Sequence, residues 1–68
     1  MVPFSLRLKE IRKKSGALQR EAAQAAGVQV RTYQLYEEGK NEPNIEKLIA
    51  LADFFDVSLD YLMGRKEA

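Results

Sequence analysis

Glycine falls at positions 16, 27, 39 and 64, each just after a stretch with helical apolar spacing. A residue that enters the left-handed region at little cost commonly ends a helix, so these positions cut the chain into short helices. The first is predicted over about Phe4 to Ser15: Phe4, Leu8 and Ile11 recur at intervals of four and three on one face, with Arg7, Lys9, Arg12, Lys13 and Lys14 on the others. A second, about Gln19 to Ala26, is two turns long and is preceded by Leu18, where Ser, Thr, Asp or Asn would cap it. A third, about Val30 to Glu38, follows a turn at Gly27-Val28 and carries Tyr33 and Tyr36 on a shared face. The loop-like Gly39-Lys40-Asn41-Glu42-Pro43 leads to Asn44, placed to cap Ile45 to Phe55. Ile45, Leu48, Ile49, Ala52 and Phe55 form the apolar stripe expected to face the core there. Ser58 caps a last helix, Leu59 to Met63, before a polar tail. No stretch alternates with the period of a strand, so the predicted class is all-α, a compact bundle of five short helices.

At 68 residues there is room for one domain, 1–68, with an ordered core of about 4–64. Hydrophobic residues make up 46% and charged residues 31%, a composition that supports a folded globule. Cys and His are absent, which removes disulfides, imidazole or thiolate metal sites and the commonest nucleophile and base partners. No cofactor or small-molecule ligand is implied. The longest apolar run, Leu48 to Ala52, falls far short of the ~20 residues that span a bilayer, and the N-terminus lacks a signal pattern. The expectation is a soluble, cytoplasmic protein without a membrane partner. Its charge is divided: residues 1–35 hold seven basic residues against two acids, and residues 36–68 hold four against eight. Such asymmetry suits a polyanion-facing surface, and equally suits helix faces that merely differ.

Gln19 to Glu38 places two short helices around a tight glycine-containing turn, the helix-turn-helix pattern in which one helix crosses the DNA backbone and the second enters the major groove. Ala23 stands where the two helices approach most closely, Gly27 lies in the turn four residues later, Val28 follows it, and Tyr36 closes the apolar side.

Four segments extend the pattern: Arg7-Leu8-Lys9-Glu10-Ile11-Arg12; Gln19 to Val28; Tyr36-Glu37-Glu38-Gly39-Lys40 with Pro43; and Leu48 to Asp53 through Val57 to Gly64. In these the chain resembles the Cro and phage-repressor type helix-turn-helix regulators, the XRE family, whose members form five-helix DNA-binding domains. The resemblance implies a bacterial or phage, nucleoid-associated transcriptional regulator, most simply a repressor homodimer on an inverted repeat of double-stranded DNA. It places Gln19 on the DNA backbone, with Arg12 and the Gly39-Lys40 loop, and Lys14 and Arg20 add further phosphate contacts. Arg12 has an alternative, an internal ion pair with Glu37. Base edges fall to Gln29, Val30, Arg31, Gln34 and Leu35: Arg31 suits guanine, Gln34 adenine, and Val30 and Leu35 a thymine methyl. Phe54, Tyr61 and Met63 are the expected dimer contacts, with core and rim packing as the alternative.

The chain departs from the family pattern at five positions. Leu18 and Gln29 stand where Thr and Ser usually cap, a loss of about 1 kcal/mol each. Ala22 and Ala26 replace larger aliphatics while Tyr33 replaces Ile or Val, a volume compensation that leaves a phenol oxygen needing a partner. A different use of the fold, an antitoxin-like or accessory protein-interaction module, is suggested by the aliphatic Val30 and Leu35 on the reading face. An enzyme is not expected: Glu37 and Glu38 point apart on a helix, and Asp53, Asp56 and Asp60 read as caps or solvated surface.

Overall fold

The five helices form where the glycines and caps predict: α1 (Phe4–Ser15), α2 (Gln19–Ala26), α3 (Val30–Glu38), α4 (Ile45–Phe55) and α5 (Leu59–Leu62). The structure is a computed structural model and describes residues 3–66. α5 ends one residue earlier than predicted, because Gly64 N–H closes onto the Tyr61 carbonyl and Arg65 N–H onto that of Asp60, which tightens the chain beyond Leu62. Asn44 and Ser58 cap as expected, accepting from the N–H groups of Lys47 and Tyr61, both at 3.0 Å. Leu18 and Gln29 supply no side-chain cap. α2 has a substitute: the Glu21 carboxylate accepts from Leu18 N–H at 2.8 Å, the returning half of a capping box.

Four glycines do not account for every helix end. α4 stops at Asp56, a non-glycine residue at φ 55°. The short polar side chain of Asp tolerates this region better than most. Val57 N–H then bonds the Ala52 carbonyl at 3.0 Å, as Val28 N–H bonds that of Ala23 after α2. Each valine is partly buried against the core, so the turn is held by an apolar contact as well as by its hydrogen bonds.

The core is built from Leu8, Ile11, Ala22, Ala23, Ala26, Tyr33, Tyr36, Leu51, Ala52, Phe55 and Leu62. Buried alanines along α2 let it pack against both α3 and α4. The stripe predicted for α4 is rotated. Ile45 and Ile49 are 58% and 47% exposed, whereas Leu51, outside that stripe, is fully buried. At 100° per residue Leu51, Phe55, Leu48 and Ala52 centre the inward arc, and the two isoleucines fall at its edge.

Arg7, expected on the polar side of α1, is buried to 2% exposure. Its guanidinium donates to the carbonyls of Tyr61 (2.9 Å) and Lys66 (3.1 Å), lies 4.2 Å from the centre of the Tyr61 ring, and pairs with Glu10 at 3.5 Å. A charge at this depth is tolerated because it is both hydrogen-bonded and paired. Arg7 thus ties α1 to α5 and the segment after it. The spacing could have shown this, since Arg7 stands three residues after Phe4 and four before Ile11 on the core side.

Candidate nucleic-acid interface

The helix-turn-helix of α2 and α3 rests on α1 and α4. The start of α3 is open: Gln29, Val30 and Arg31 are exposed, and Gln34 and Leu35 are half-buried one turn further on. At its other end Gly39 adopts φ 75°, and a Cβ there would lie 3.3 Å from Ser5 Oγ. That close approach seats the loop carrying Lys40 against the start of α1.

A chain of polar contacts joins the expected site residues. Arg12 grips Glu37 with two bonds, Nε to Oε2 at 2.6 Å and Nη2 to Oε1 at 3.1 Å, and its Nη1 donates to the Ala17 carbonyl at 3.2 Å. The side chains of Arg12 and Glu37 are only 13% and 4% exposed. Gln19 Nε2 donates to Glu37 Oε1 at 3.2 Å, and Gln34 Nε2 donates to Gln19 Oε1 at 3.3 Å. Arg31 Nη1 lies 3.4 Å from Gln34 Oε1 and 3.3 Å from Glu38 Oε2, and Lys40 Nζ lies 3.5 Å from Glu38 Oε1.

A carboxylate only accepts, so Glu37 turns the amide nitrogen of Gln19 towards itself and the Gln19 oxygen outward; that oxygen in turn fixes the amide nitrogen of Gln34. The orientation of the half-buried Gln34 therefore begins at a buried ion pair. Burial pushes the Glu37 carboxyl up, but hydrogen bonds from the Arg12 guanidinium, aided by Tyr33 and then Gln19, outweigh it and hold the group below the usual carboxylate range. The bond to Glu37 correspondingly raises Arg12. Beside them the fully buried Tyr33 packs edge-on against Tyr36, ring centres 6.1 Å apart. Burial pushes the Tyr33 phenol far up, and the nearby Glu37 charge adds to this. Its hydroxyl faces Glu37 and Arg12 closely enough for hydrogen bonding to shift its titration and that of Glu37, but it makes no well-aligned bond. The need created by replacing an aliphatic residue with tyrosine is thus met only in part, by a poorly aligned approach to Glu37.

Gln19, Arg31, Gln34 and Lys40 are brought into one network. Arg12 is not offered outward: of its two readings, the geometry realises the ion pair with Glu37. Arg20 is exposed beside Gln19. Lys14 instead lines a cleft with Ile11, Phe55, Val57 and Tyr61, on the α4–α5 side of α1. The three expected dimer residues line different depressions. Phe54 borders a depression with Ala17, Glu21, Gln24 and Ala25, while Met63 lies with Phe4, Glu42, Pro43 and Leu48. Tyr61 is the platform for Arg7. Among the described residues no group of three or more His, Cys, Asp or Glu could hold a metal ion, and no helix is long and apolar enough to cross a membrane.

An all-α domain that opens one short helix to solvent and braces its polar side chains from the preceding helix is built as a helix-turn-helix. The chain belongs to that family, in its XRE-type branch: the helix-turn-helix family model matches residues 8–62. It is 38% identical over 61 residues to the HTH-type transcriptional regulator ImmR of Bacillus subtilis (strain 168), covering 90% of this chain and 48% of that protein. To the HTH-type transcriptional regulator AnsR of the same strain it is 41% identical over 61 residues, covering 90% and 53%. The chain therefore spans about half the length of these curated relatives. Among solved structures, the P22 c2 repressor protein in complex with synthetic operator 9T superposes with a TM-score of 0.87 at 29% identity, over 97% of this chain and 100% of that one. The five-helix, all-α expectation and the family resemblance both hold.

Proposed function

We propose that this domain binds double-stranded DNA sequence-specifically, with α3 in the major groove, as the DNA-reading unit of a transcriptional repressor. The observation that carries this is the oriented chain from Glu37 through Gln19 to Gln34. With one amide hydrogen committed to Gln19, Gln34 retains an N–H and its oxygen, the donor and acceptor that adenine N7 and N6 require. Arg31, exposed one turn earlier on the same side, has donors for guanine N7 and O6. Val30 can meet a thymine methyl. At the start of α2 the backbone N–H groups of Gln19 and Arg20 lack intrahelical acceptors, and with the second amide hydrogen of Gln19, Arg20 and Lys40 they offer phosphate a set of donors. The operator complex of the P22 c2 repressor supports the same use of the fold.

Two such domains on an inverted repeat, half-sites one helical turn apart, complete the reading. The surface of α3 has one cation, Arg31, so pairing of half-sites supplies affinity that one domain lacks. Exposed Phe54 and partly buried Met63 are apolar residues available to a partner copy. Gln34→Ala is expected to weaken binding to the preferred sequence by about 10- to 100-fold and to leave a random duplex nearly unaffected, measured by fluorescence anisotropy. Equal loss on both sequences would show that Gln34 does not read bases.

The protein-interaction reading draws on Val30, which is exposed. Its neighbour Leu35 is half-buried, which narrows that patch. A partner lost on Val30→Lys, with no duplex bound by the wild type, would favour this use instead.

A further inference from the structure

We propose that Glu38 sets DNA specificity by competing with DNA for Arg31 and Lys40, a role that rests on the DNA-binding reading above. Residues 31, 34 and 38 are spaced by three and four, so Glu38 shares the stripe of α3 that holds Arg31 and Gln34. Its two carboxylate oxygens are divided between two cations, Oε2 at 3.3 Å from Arg31 Nη1 and Oε1 at 3.5 Å from Lys40 Nζ. Arg31 is thereby laid back along the helix, past Gln34, away from the open start of α3. The other acid of this helix, Glu37, is turned inward and neutralised by Arg12, so it takes no part on this surface.

The exposure of these groups decides what the arrangement does. Glu38, Arg31 and Lys40 are 40%, 63% and 69% exposed, and ion pairs at that level contribute little to stability. Folding does not need them. Their effect falls on binding. On a random duplex, Arg31 and Lys40 exchange one carboxylate for phosphates, and the released Glu38 faces a polyanion that repels it. Net gain is small. On a matching site Arg31 makes two bonds to a guanine edge, which more than replaces its contact with Glu38. A carboxylate in this position therefore suppresses non-specific binding more than specific binding, an acid placed against the wrong partner.

The test measures wild type, Glu38→Gln and Asp53→Asn against a random duplex and against the sequence the wild type prefers, by anisotropy at about 0.1 M salt. Asp53 is exposed on α4, away from the stripe, and its change removes the same charge. Glu38→Gln is expected to bind the random duplex about three- to tenfold more tightly, with a smaller gain on the preferred sequence, so that the specificity ratio falls. Asp53→Asn should change neither by as much as twofold. Equal gains from both variants would mean that only net charge matters, and no gain from Glu38→Gln would mean that Glu38 does not compete; either result overturns the proposal while wild-type binding stands. If the wild type binds no duplex even at low salt, the DNA-binding reading falls and takes this role with it.

Discussion

Glu37→Ala is expected to destabilise the domain by about 3–5 kcal/mol, enough to unfold most of it, since a core of this size rarely supplies more than that. The variant leaves the Arg12 guanidinium at 13% exposure without its carboxylate and releases Gln19, so the loss is of a buried charge's partner rather than of a surface pair. Urea unfolding followed by circular dichroism measures it. A cost below 1 kcal/mol would place the pair with solvent-screened ones and remove the brace on which Gln34 depends. The same group makes stability depend on pH. Because the folded-state pKa of Glu37 lies below its ordinary value of 4.5, its contribution is present above that value and is lost as pH falls through the lower, folded one. Unfolding of the wild type should steepen below about pH 4.5. An Arg12→Ala variant, which lacks the main cause of the depression, should lose that part of the acid dependence.

Tyr33 should respond to two substitutions in opposite directions. Tyr33→Ala empties a fully buried site among α1, α2 and α3 and is expected to cost about 3–5 kcal/mol, as large aromatic truncations do. Tyr33→Phe keeps the ring and removes a buried hydroxyl without a well-aligned hydrogen bond, and is expected to raise stability by about 1 kcal/mol. Thermal melts of the two variants beside the wild type separate ring from hydroxyl. A destabilised Tyr33→Phe would show that the oxygen is satisfied in solution, by bound water or by Glu37, and that the hydroxyl belongs to the polar cluster around Arg12.

These residues also show where a sequence speaks and where it does not. Helix limits were legible because caps and stops are local: Asn44 and Ser58 act on amides three residues away, and Gly16, Gly27 and Gly39 sit at left-handed positions that favour glycine. Asp56 ended α4 without that signal, since aspartate enters the left-handed region too rarely to be used as punctuation. The inward face of α4 is not legible in the sequence because Ile45 and Ile49 are as apolar as Leu51, and only the neighbours, α1, α2 and α5, decide which arc is covered. Within the candidate interface, Gln19, Arg31 and Gln34 could be picked by position along two helices. Their mutual contacts could not, because Gln19 and Gln34 are fifteen residues apart and meet only once α2 and α3 have packed. Glu38 reads from the sequence only as a solvated carboxylate pointing away from Glu37, since a stripe of 31, 34 and 38 acquires meaning only once Arg31 lies along it. Phe54 and Met63 are close in sequence yet line different depressions, which only the packing of the helices decides.

The most direct test of the central claim is selection from a random duplex library by the purified protein at low and at high salt, reading the enriched sequences. The expected result is an inverted repeat with half-sites about one helical turn apart, containing a guanine and an adenine within reach of Arg31 and Gln34, and lost at high salt. Absence of any enriched sequence, with equal weak retention of every duplex at low salt, would contradict it.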